Sequence, residues 1–230
     1  MKNTILAVLL LALVAAPAAA QRKETETVDR TLPFQSGGTV KLKNFSGDAR
    51  ITGTASNEVV VHAVRKGTRE QLDNIKLDIQ ASGSTIEIEA NRRNPSWDEH
   101  DNNVVETEFE IQVPSATELD LHAFSGNLIV RGTTASIEAK TFSGDVDLDV
   151  STASAAPDVK AETFSGDIAT RLPDVSNGHI RFNSFSGDFR SDFPVMLKSR
   201  SKRDISADIG SGGGANLEFK TFSGDLKLVK

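Results

Sequence analysis

Apolar and polar residues alternate along most of the chain from Thr39 onward, a pattern typical of β-strands with one buried face. In Ile137-Glu138-Ala139-Lys140-Thr141 the odd-numbered residues are apolar or small and the even-numbered residues are charged. The alternation resumes in Val146-Asp147-Leu148-Asp149-Val150, after the intervening Phe142-Ser143-Gly144-Asp145. No long stretch has the period of an amphipathic helix, and only residues 69–74 predict a single helical turn. The pattern therefore predicts an all-β fold.

The Phe-Ser-Gly-Asp sequence, or a variant with one substitution, recurs six times and contains six of the twelve Phe residues. The copies are at residues 45–48, 124–127, 142–145, 164–167, 185–188 and 222–225. From Phe124 onward, successive copies are 18, 22, 21 and 37 residues apart, and the last spacing is close to two units. A period in this range indicates a repeat architecture. Degenerate units are predicted at residues 77–88 and at residues 195–209, where a basic run replaces the motif.

Two architectures fit one unit. In a β-hairpin with a Ser143-Gly144 turn, the apolar residues share one face but Phe142 lies on the solvent face, which leaves its recurrence unexplained. In a β-solenoid each unit is one coil, and equivalent residues of successive coils stack about 4.8 Å apart. Phe would then stack on Phe inside each corner, Gly would supply a positive φ, and Asp or Asn would accept a hydrogen bond from the bent backbone. The sequence favours a single-domain β-solenoid over residues 39–230, with about ten coils of about 20 residues and Phe-Ser-Gly-Asp corners.

The N-terminal 20 residues have the features of a cleaved signal peptide. Lys2 precedes an apolar run over residues 5–16, and Ala18-Ala19-Ala20 forms an A-x-A cleavage site. Residues 21–38 are polar and aperiodic, which predicts a loose lead-in. There is no Cys to carry a lipid or a disulfide, and no second run of about 18 apolar residues to span a membrane. We therefore expect export to the periplasm or the cell surface.

The mature chain is mildly acidic: without Lys2 it has 25 basic and 32 acidic residues, a net charge of −7. This charge argues against nucleic-acid binding, which needs a basic face. Tyr is absent and Trp97 is the only Trp, which argues against a sugar-stacking surface. The expected partner is an envelope or surface component, either a protein or a polysaccharide.

Four features together resemble the DUF4097 family, for which adhesion is the inferred role. They are the signal peptide, the repeated Phe-Ser-Gly-Asp sequences, Ile111-Gln112-Val113-Pro114 leading into Leu119-Asp120-Leu121, and Gly210-Ser211-Gly212-Gly213-Gly214 ahead of Leu217-Glu218-Phe219. The resemblance extends over about residues 39–230. It implies an exported, repetitive β-structure of the bacterial envelope, and it brings no catalytic motif with it.

The Asp residues after the motif glycines are the first candidates for chemistry. They are Asp48, Asp145, Asp167, Asp188 and Asp225. Stacked carboxylates at repeated corners could bind Ca²⁺, but each corner offers one carboxylate whereas Ca²⁺ takes six to eight oxygen ligands. Asn127 replaces Asp in one copy, so a charge is not required there. Turn capping is the favoured interpretation, and neither a metal nor a cofactor is expected.

An enzyme is the less favoured alternative. Elongated β-helices include polysaccharide lyases and hydrolases, and Glu138, Asp147 and Asp149 are of the right type for paired carboxylates. These residues alternate with apolar ones, however, as on a solvated strand face. The four His residues are scattered, with no Cys to complete a zinc set. We therefore expect no catalysis.

Two segments interrupt the repeat, and interruptions are where function can lie. Residues 91–103 form a polar segment in which Trp97, Asp98 and His100 could contact a partner. The basic run Lys198, Arg200, Lys202 and Arg203 could contact an anionic polysaccharide or lipid head groups. The sequence thus predicts an exported, non-catalytic, adhesin-like β-repeat protein of the cell envelope. A structural spacer or assembly scaffold and a polysaccharide-acting enzyme are the alternatives.

Overall fold

The computed structural model describes residues 22–93, 104–174, 177–201 and 203–230. In these residues nineteen strands form two large, mostly parallel sheets, which we call sheet A and sheet B, and one short helix connects them. Sheet A contains, in spatial order, Glu24–Pro33 (β1), Glu58–Gly67 (β4), Glu106–Pro114 (β7), Ala49–Thr54 (β3), Leu128–Arg131 (β9), Val146–Asp149 (β11), Ile168–Arg171 (β13), Leu226–Val229 (β19) and Phe189–Ser191 (β15). Sheet B contains Val195–Arg200 (β16), Asp204–Ile209 (β17), Gly178–Ser186 (β14), Ala215–Ser223 (β18), Val159–Ser165 (β12), Ile137–Ser143 (β10), Glu118–Ser125 (β8), Thr39–Ser46 (β2), Thr85–Arg93 (β6) and Ile75–Ser82 (β5). The predicted signal peptide lies outside the described residues.

Each Phe-Ser-Gly-Asp copy joins a strand of sheet B to the next strand of sheet A, and we call such a pair of strands a layer. The layers stack in parallel and in register: Thr141 aligns with Ala123 and Thr163 of the two neighbouring layers. Strands β6 and β7 add a seventh layer beside β2 and β3. Residues 94–103, which follow β6 in the sequence, lie outside the described residues. The predicted all-β fold is therefore confirmed, and the six motif copies each join two strands of one layer.

The alternation seen in the sequence sets which side chains fill the space between the sheets. Ile137, Ala139, Val146 and Leu148 are fully or almost fully buried, whereas Glu138 of the same layer lies on the outer face. One continuous apolar core runs through all the layers. Burial of each Val, Leu or Ile side chain contributes about 1.5–3 kcal/mol. The core thus stabilises the stack through the same positions in every layer.

The layers do not stack in chain order, contrary to the prediction of successive coils. Strand β18 pairs in parallel with both β12 and β14, so the last layer of the chain lies between the layers of Phe164 and Phe185. Strand β17 runs back along the other edge of β14 in antiparallel register. Because β17 occupies that edge of β14, strand β18 pairs with the opposite edge and lies between β14 and β12.

The two degenerate units are antiparallel hairpins rather than coils, which corrects the prediction for residues 77–88 and 195–209. Strand β5 pairs antiparallel with β6, and β16 pairs antiparallel with β17. In the first hairpin Ser82 pairs with Thr85 across a two-residue turn in which Gly83 has φ 59°. Such a turn reverses the chain within one sheet, whereas the Phe-Ser-Gly-Asp corner passes it to the other sheet.

The segment predicted as a loose lead-in contains a ten-residue strand. Strand β1 pairs antiparallel with β4 along its whole length and forms the edge of sheet A. Only Val28 and Leu32 pack on the core, so the strand shows no regular alternation. Backbone pairing with β4 and ion pairs of Glu26 with Arg65 and of Asp29 with His62 hold this polar edge strand, which periodicity could not reveal.

The predicted helical turn at residues 69–74 is confirmed as helix α1, Arg69–Asn74. Thr68 caps its N-terminus and exchanges hydrogen bonds with Gln71, as in a capping box. Leu72, Ile75 and Val105 form a small second apolar cluster at this end of the stack. Within the part of the chain described, no helix has the length and apolar composition needed to cross a membrane.

Candidate functional site

The six motif Phe residues form a continuous row of stacked rings, which we call the Phe ladder. Adjacent ring centroids are 4.7–5.1 Å apart, and adjacent planes differ by 2–14°. The order of rings is Phe45, Phe124, Phe142, Phe164, Phe222 and Phe185. The predicted stacking is confirmed, but the predicted position inside the corner is wrong, since each side chain is 40–50% exposed. The preceding residue, such as Thr141, faces the core, so strand alternation turns Phe142 outward.

The stacking decides which part of each ring reaches solvent. Because neighbouring rings are almost parallel, they cover one another's faces and leave ring edges exposed. At one end of the ladder the guanidinium carbon of Arg203 lies 4.3 Å from the ring centroid of Phe185. The guanidinium group covers the face of Phe185 that has no neighbouring ring. The ladder is therefore an apolar ridge of ring edges along one side of sheet B.

The corner carboxylates form a second ladder beside the first. The Oδ1 atom of Asp145 accepts a hydrogen bond of 2.8 Å from the backbone N–H of Asp167, one layer further along. The equivalent hydrogen bond, of 2.8–3.0 Å, joins each of the four remaining pairs of neighbouring corners. The predicted acceptor role is thus confirmed, but the donor belongs to the next layer. Asn127 performs this role with an amide oxygen, and the described residues contain no group of three or more acidic or His side chains that could hold a metal.

A third set of contacts links the layers on the core side of the corner. The hydroxyl of Thr163 donates to the carbonyl oxygen of Gly144, and that of Thr141 to Gly126, at 3.0 and 3.1 Å. Ala123 occupies the equivalent position and has no hydroxyl. There Asn44 substitutes: its Nδ2 donates to the carbonyl of Gly47 at 2.8 Å and to that of Thr107 at 2.9 Å. The corners are thus joined by side chain–backbone contacts on both sides.

The carboxylates considered for catalysis are not brought together. Glu138 lies on the outer face of sheet B, whereas Asp147 and Asp149 belong to β11 of sheet A. Hydrogen bonds from Lys140 and then Lys160 lower the pKa of Glu138, although burial partly opposes them. Asp147 forms an ion pair with Arg131. These side chains behave as solvated strand-face residues that pair with neighbouring layers.

The structure divides the predicted basic group. Lys198 Nζ lies 2.9 Å from Asp208 Oδ2, whereas Arg200 and Arg203 line a cavity at the end of the stack beyond β15. Lys202 lies outside the described residues. Trp97, Asp98 and His100 of the other interruption also lie outside them, so the contact predicted for that segment stays a prediction.

One constellation was missed at the sequence level. Ser206 Oγ lies 3.3 Å from His179 Nε2, and His179 Nδ1 lies 2.7 Å from Asp208 Oδ1, which is the order of contacts in a Ser-His-Asp triad. The pKa of Asp208 is lowered by hydrogen bonds from His179 and then Lys198. His179 is 27 positions from Ser206 and 29 from Asp208, and no local motif connects it to them.

The surroundings of this constellation favour a structural role. Strand β17 lies between β14 and β16, so the backbone N–H groups around Ser206 bond to neighbouring strands. They are not free to form an oxyanion hole, the largest contribution to acyl-transfer catalysis. In addition, Lys198 pairs with the second oxygen of the Asp208 carboxylate. The network connects three strands at the edge of sheet B.

Comparisons with known proteins agree with this architecture. The family model of Toastrack DUF4097 matches residues 24–229. A crystal structure of a "putative cell adhesion protein" from Clostridium sporogenes has a TM-score of 0.60 at 15% identity, covering 90% of this chain and 98% of that chain. A "putative adhesin" from Bacteroides fragilis has a TM-score of 0.38 at 11% identity, covering 89% and 97%. At 15% identity the likeness to the Clostridium sporogenes protein is one of fold alone. The search of curated proteins found no match.

Proposed function

Because the chain belongs to the Toastrack DUF4097 family, we propose that it is an exported, non-catalytic, adhesin-like protein of the bacterial cell envelope that binds a surface partner through the Phe ladder. In this proposal the stacked layers act as a short β-solenoid that presents the ladder at its corner. The adhesion-related names of the similar structures support the proposal weakly. The observation that carries it is the exposure of six large apolar side chains in one line.

Such an exposed line is unusual for a protein without a partner. Contiguous apolar patches of this kind on soluble proteins mark interaction sites. Five layer spacings of about 4.8 Å make the ladder on the order of 24 Å long. A row that served only to stack the layers could lie inside the corner, where burial would stabilise it more. The outward position of Phe142 and its equivalents therefore favours contact with another molecule.

The geometry of the ladder favours a protein partner over a polysaccharide. Sugars pack on exposed aromatic faces, but here neighbouring rings cover one another's faces, and the rings from Phe124 to Phe222 along the ladder present only edges. A groove of about 740 Å³ lies beside Phe164, Phe222 and Phe185, with Glu162 and Lys220 among its lining residues. Apolar edges beside charges of both signs suit an extended protein segment with mixed side chains.

The binding experiment uses residues 21–230 and isolated cell envelopes. The double variant Phe124→Thr/Phe164→Thr removes two ring edges and retains β-forming residues, so we expect retention on envelopes to fall about tenfold while the fold survives. Met196→Thr is the matched control, since Met196 is 63% exposed on another strand of the same sheet. Equal retention of the folded double variant and the control would contradict binding through the ladder.

The scaffold alternative is supported by the ladders of contacts that join every corner internally. Deletion of residues 137–158 removes one layer without a change of register, because Ile137 and Val159 are equivalent positions. An adhesin with a shortened ladder should retain most of its envelope binding, whereas a spacer of fixed length should lose its cellular function. The enzyme alternative is not favoured, since Glu138 and Asp147 form ion pairs on different sheets.

A further inference from the structure

The two ends of the stack are closed differently. At one end helix α1 links β4 to β5, and Leu72 is buried against Ile75 and Val105. At the other end the three-residue strand β15 and the edge strand β16 have no further neighbours in the described residues. A cavity of about 490 Å³ lies between them, within the range of sites for small molecules. We call it the open-end cavity.

The floor of the open-end cavity is apolar. It is formed by Phe182, Phe189, Val195, Leu197 and Ile205. Leu197 is 52% exposed, although Ala207 and Ile180, which align with it on the next two strands, are fully buried. Exposed apolar surface of this kind is favourable to cover, at about 25 cal/mol per Å². The floor therefore suits a hydrocarbon chain.

The rim of the cavity is basic. Arg190, Arg200 and Arg203 line it, and Asp188 is the one acidic residue among the described lining residues. The ion pairs of Arg190 with Asp188 and Asp225 are long, at 3.8 and 3.9 Å. Three arginines around one cavity contrast with the net charge of −6 of the whole chain. This local charge is complementary to an anion.

A β-bulge directs one of these arginines into the cavity. Leu197 pairs with Ala207 and Ser199 pairs with Ser206, so Lys198 is an extra residue on β16. After the bulge Arg200 pairs with Ile205, and both line the cavity. Without the extra residue, alternation would turn Arg200 to the outer face. Bulges often redirect a side chain at a functional site.

An unused hydroxyl group adds a hydrogen-bonding position. Ser184 lines the cavity, is 4% exposed, and its Oγ has no hydrogen-bond partner among the described residues. In the neighbouring layer the equivalent Thr221 donates to the carbonyl of Gly166. A buried hydroxyl without a partner costs free energy, which a ligand can recover.

We propose that the open-end cavity binds an amphiphile with one acyl chain and an anionic head group. The chain lies on the floor around Phe182 and Leu197, and the carboxylate or phosphate head group contacts Arg200 and Arg203 at the rim. Two sources share this chemistry, fatty acids and single-chain phospholipids. Arg203 is shared with the end of the Phe ladder, where it covers Phe185, but Arg200 and the apolar floor do not line the groove beside the ladder. The proposal therefore does not depend on the proposed adhesion.

Calorimetric titration of residues 21–230 with dodecanoate and with dodecyl phosphate, below their micelle concentrations, tests the proposal. We expect Arg200→Gln to weaken binding of at least one of them about tenfold, the usual loss for a charge-assisted hydrogen bond. Lys198→Gln is the matched control: it removes a charge from the same strand, but Lys198 pairs with Asp208 outside the cavity. Leu197→Asp should weaken binding by placing a carboxylate on the apolar floor.

The outcomes separate the alternatives. Binding of dodecyl phosphate alone identifies a phosphate head group, and binding of both ligands identifies any anion on an acyl chain. Equal affinity for the neutral dodecyl maltoside, or for inorganic phosphate without a chain, would overturn the proposal. A chain that binds no amphiphile and self-associates through β16 would also overturn it, because a second copy would then cover the cavity. The variant Phe124→Thr/Phe164→Thr should bind amphiphiles normally, whether or not the ladder is an adhesion surface.

Discussion

The carboxylate of Asp145 accepts a 2.8 Å hydrogen bond from the backbone N–H of Asp167, which is 22 residues later in the chain and one layer further in the stack. Asp is common in turns, but here its side chain connects one repeat to the next through this hydrogen bond. Its acceptor can be a carboxylate or an amide oxygen, as Asn127 demonstrates. Hydrogen bonding, and not charge, is therefore the property that the corner requires.

Asp145→Asn should retain the free energy of unfolding of the parent chain, whereas Asp145→Ala should lower it by about 1 kcal/mol. The amide oxygen can replace the carboxylate oxygen, but a methyl group leaves the N–H of Asp167 without this partner. Urea denaturation of both variants measures the difference. An equal loss in both would show that the negative charge itself is required.

Gly144→Ala should destabilise the protein by about 3 kcal/mol or more. Gly144 has φ 148°, and a Cβ there would lie 2.2 Å from the carbonyl oxygen of Gly126, so both backbone strain and collision oppose the substitution. Gly83→Ala is the control, because Gly83 has φ 59° with no atom within 4 Å of an added Cβ. It should cost about 1 kcal/mol from strain alone. Thermal unfolding of the two variants makes the comparison, and similar losses would contradict close layer packing as the cause.

Asn44→Ala should cost about 2 kcal/mol, because it leaves the carbonyls of Gly47 and Thr107 without the donor they share. Ala123→Thr should recover about 1 kcal/mol of this loss. The new hydroxyl would be placed in its own layer as the hydroxyl of Thr141 is placed in the next layer, where it donates to the carbonyl of Gly126. A double-mutant cycle by urea denaturation measures the recovery. If Ala123→Thr has the same effect with and without Asn44, the two side chains do not substitute for each other.

The network of Asp208 predicts a pH dependence of stability. Its pKa is lowered in the folded chain by hydrogen bonds from His179 and Lys198, so the native state favours the ionised carboxylate. The stabilisation is present above the unfolded-state pKa of about 3.9 and is lost as the pH falls through the lower folded-state pKa. Asp208→Asn should therefore melt at a lower temperature than the parent near pH 7, and the gap should narrow below about pH 4. A gap that is constant down to pH 2 would contradict an electrostatic origin.

Much of the fold was accessible from local patterns because burial in a strand has a period of two. The alternation of Ile137 to Thr141 identified the core face, and the recurrence of Phe142 and its equivalents identified the stacking. The outward position of the rings was missed, although the buried Thr141 beside Phe142 follows from the same alternation. The contact of Ser206 with His179 was not predictable, because it depends on which strands pair across the sheet.

The sequence alone determined the strands of the repeats, the corners and the chemistry at each corner, since these depend on neighbouring residues: glycine for a positive φ, and Asp or Asn for an acceptor. It did not reveal β1, whose residues have no regular alternation. Only the tertiary structure decided the order of the layers, in which Phe222 lies between Phe164 and Phe185. The physical reason is that the repeats present nearly identical interfaces, so the local pattern does not specify which repeat is the neighbour. The tertiary structure also decided that Arg200 lines the open-end cavity, because the bulge in β16 is defined by its pairing with β17.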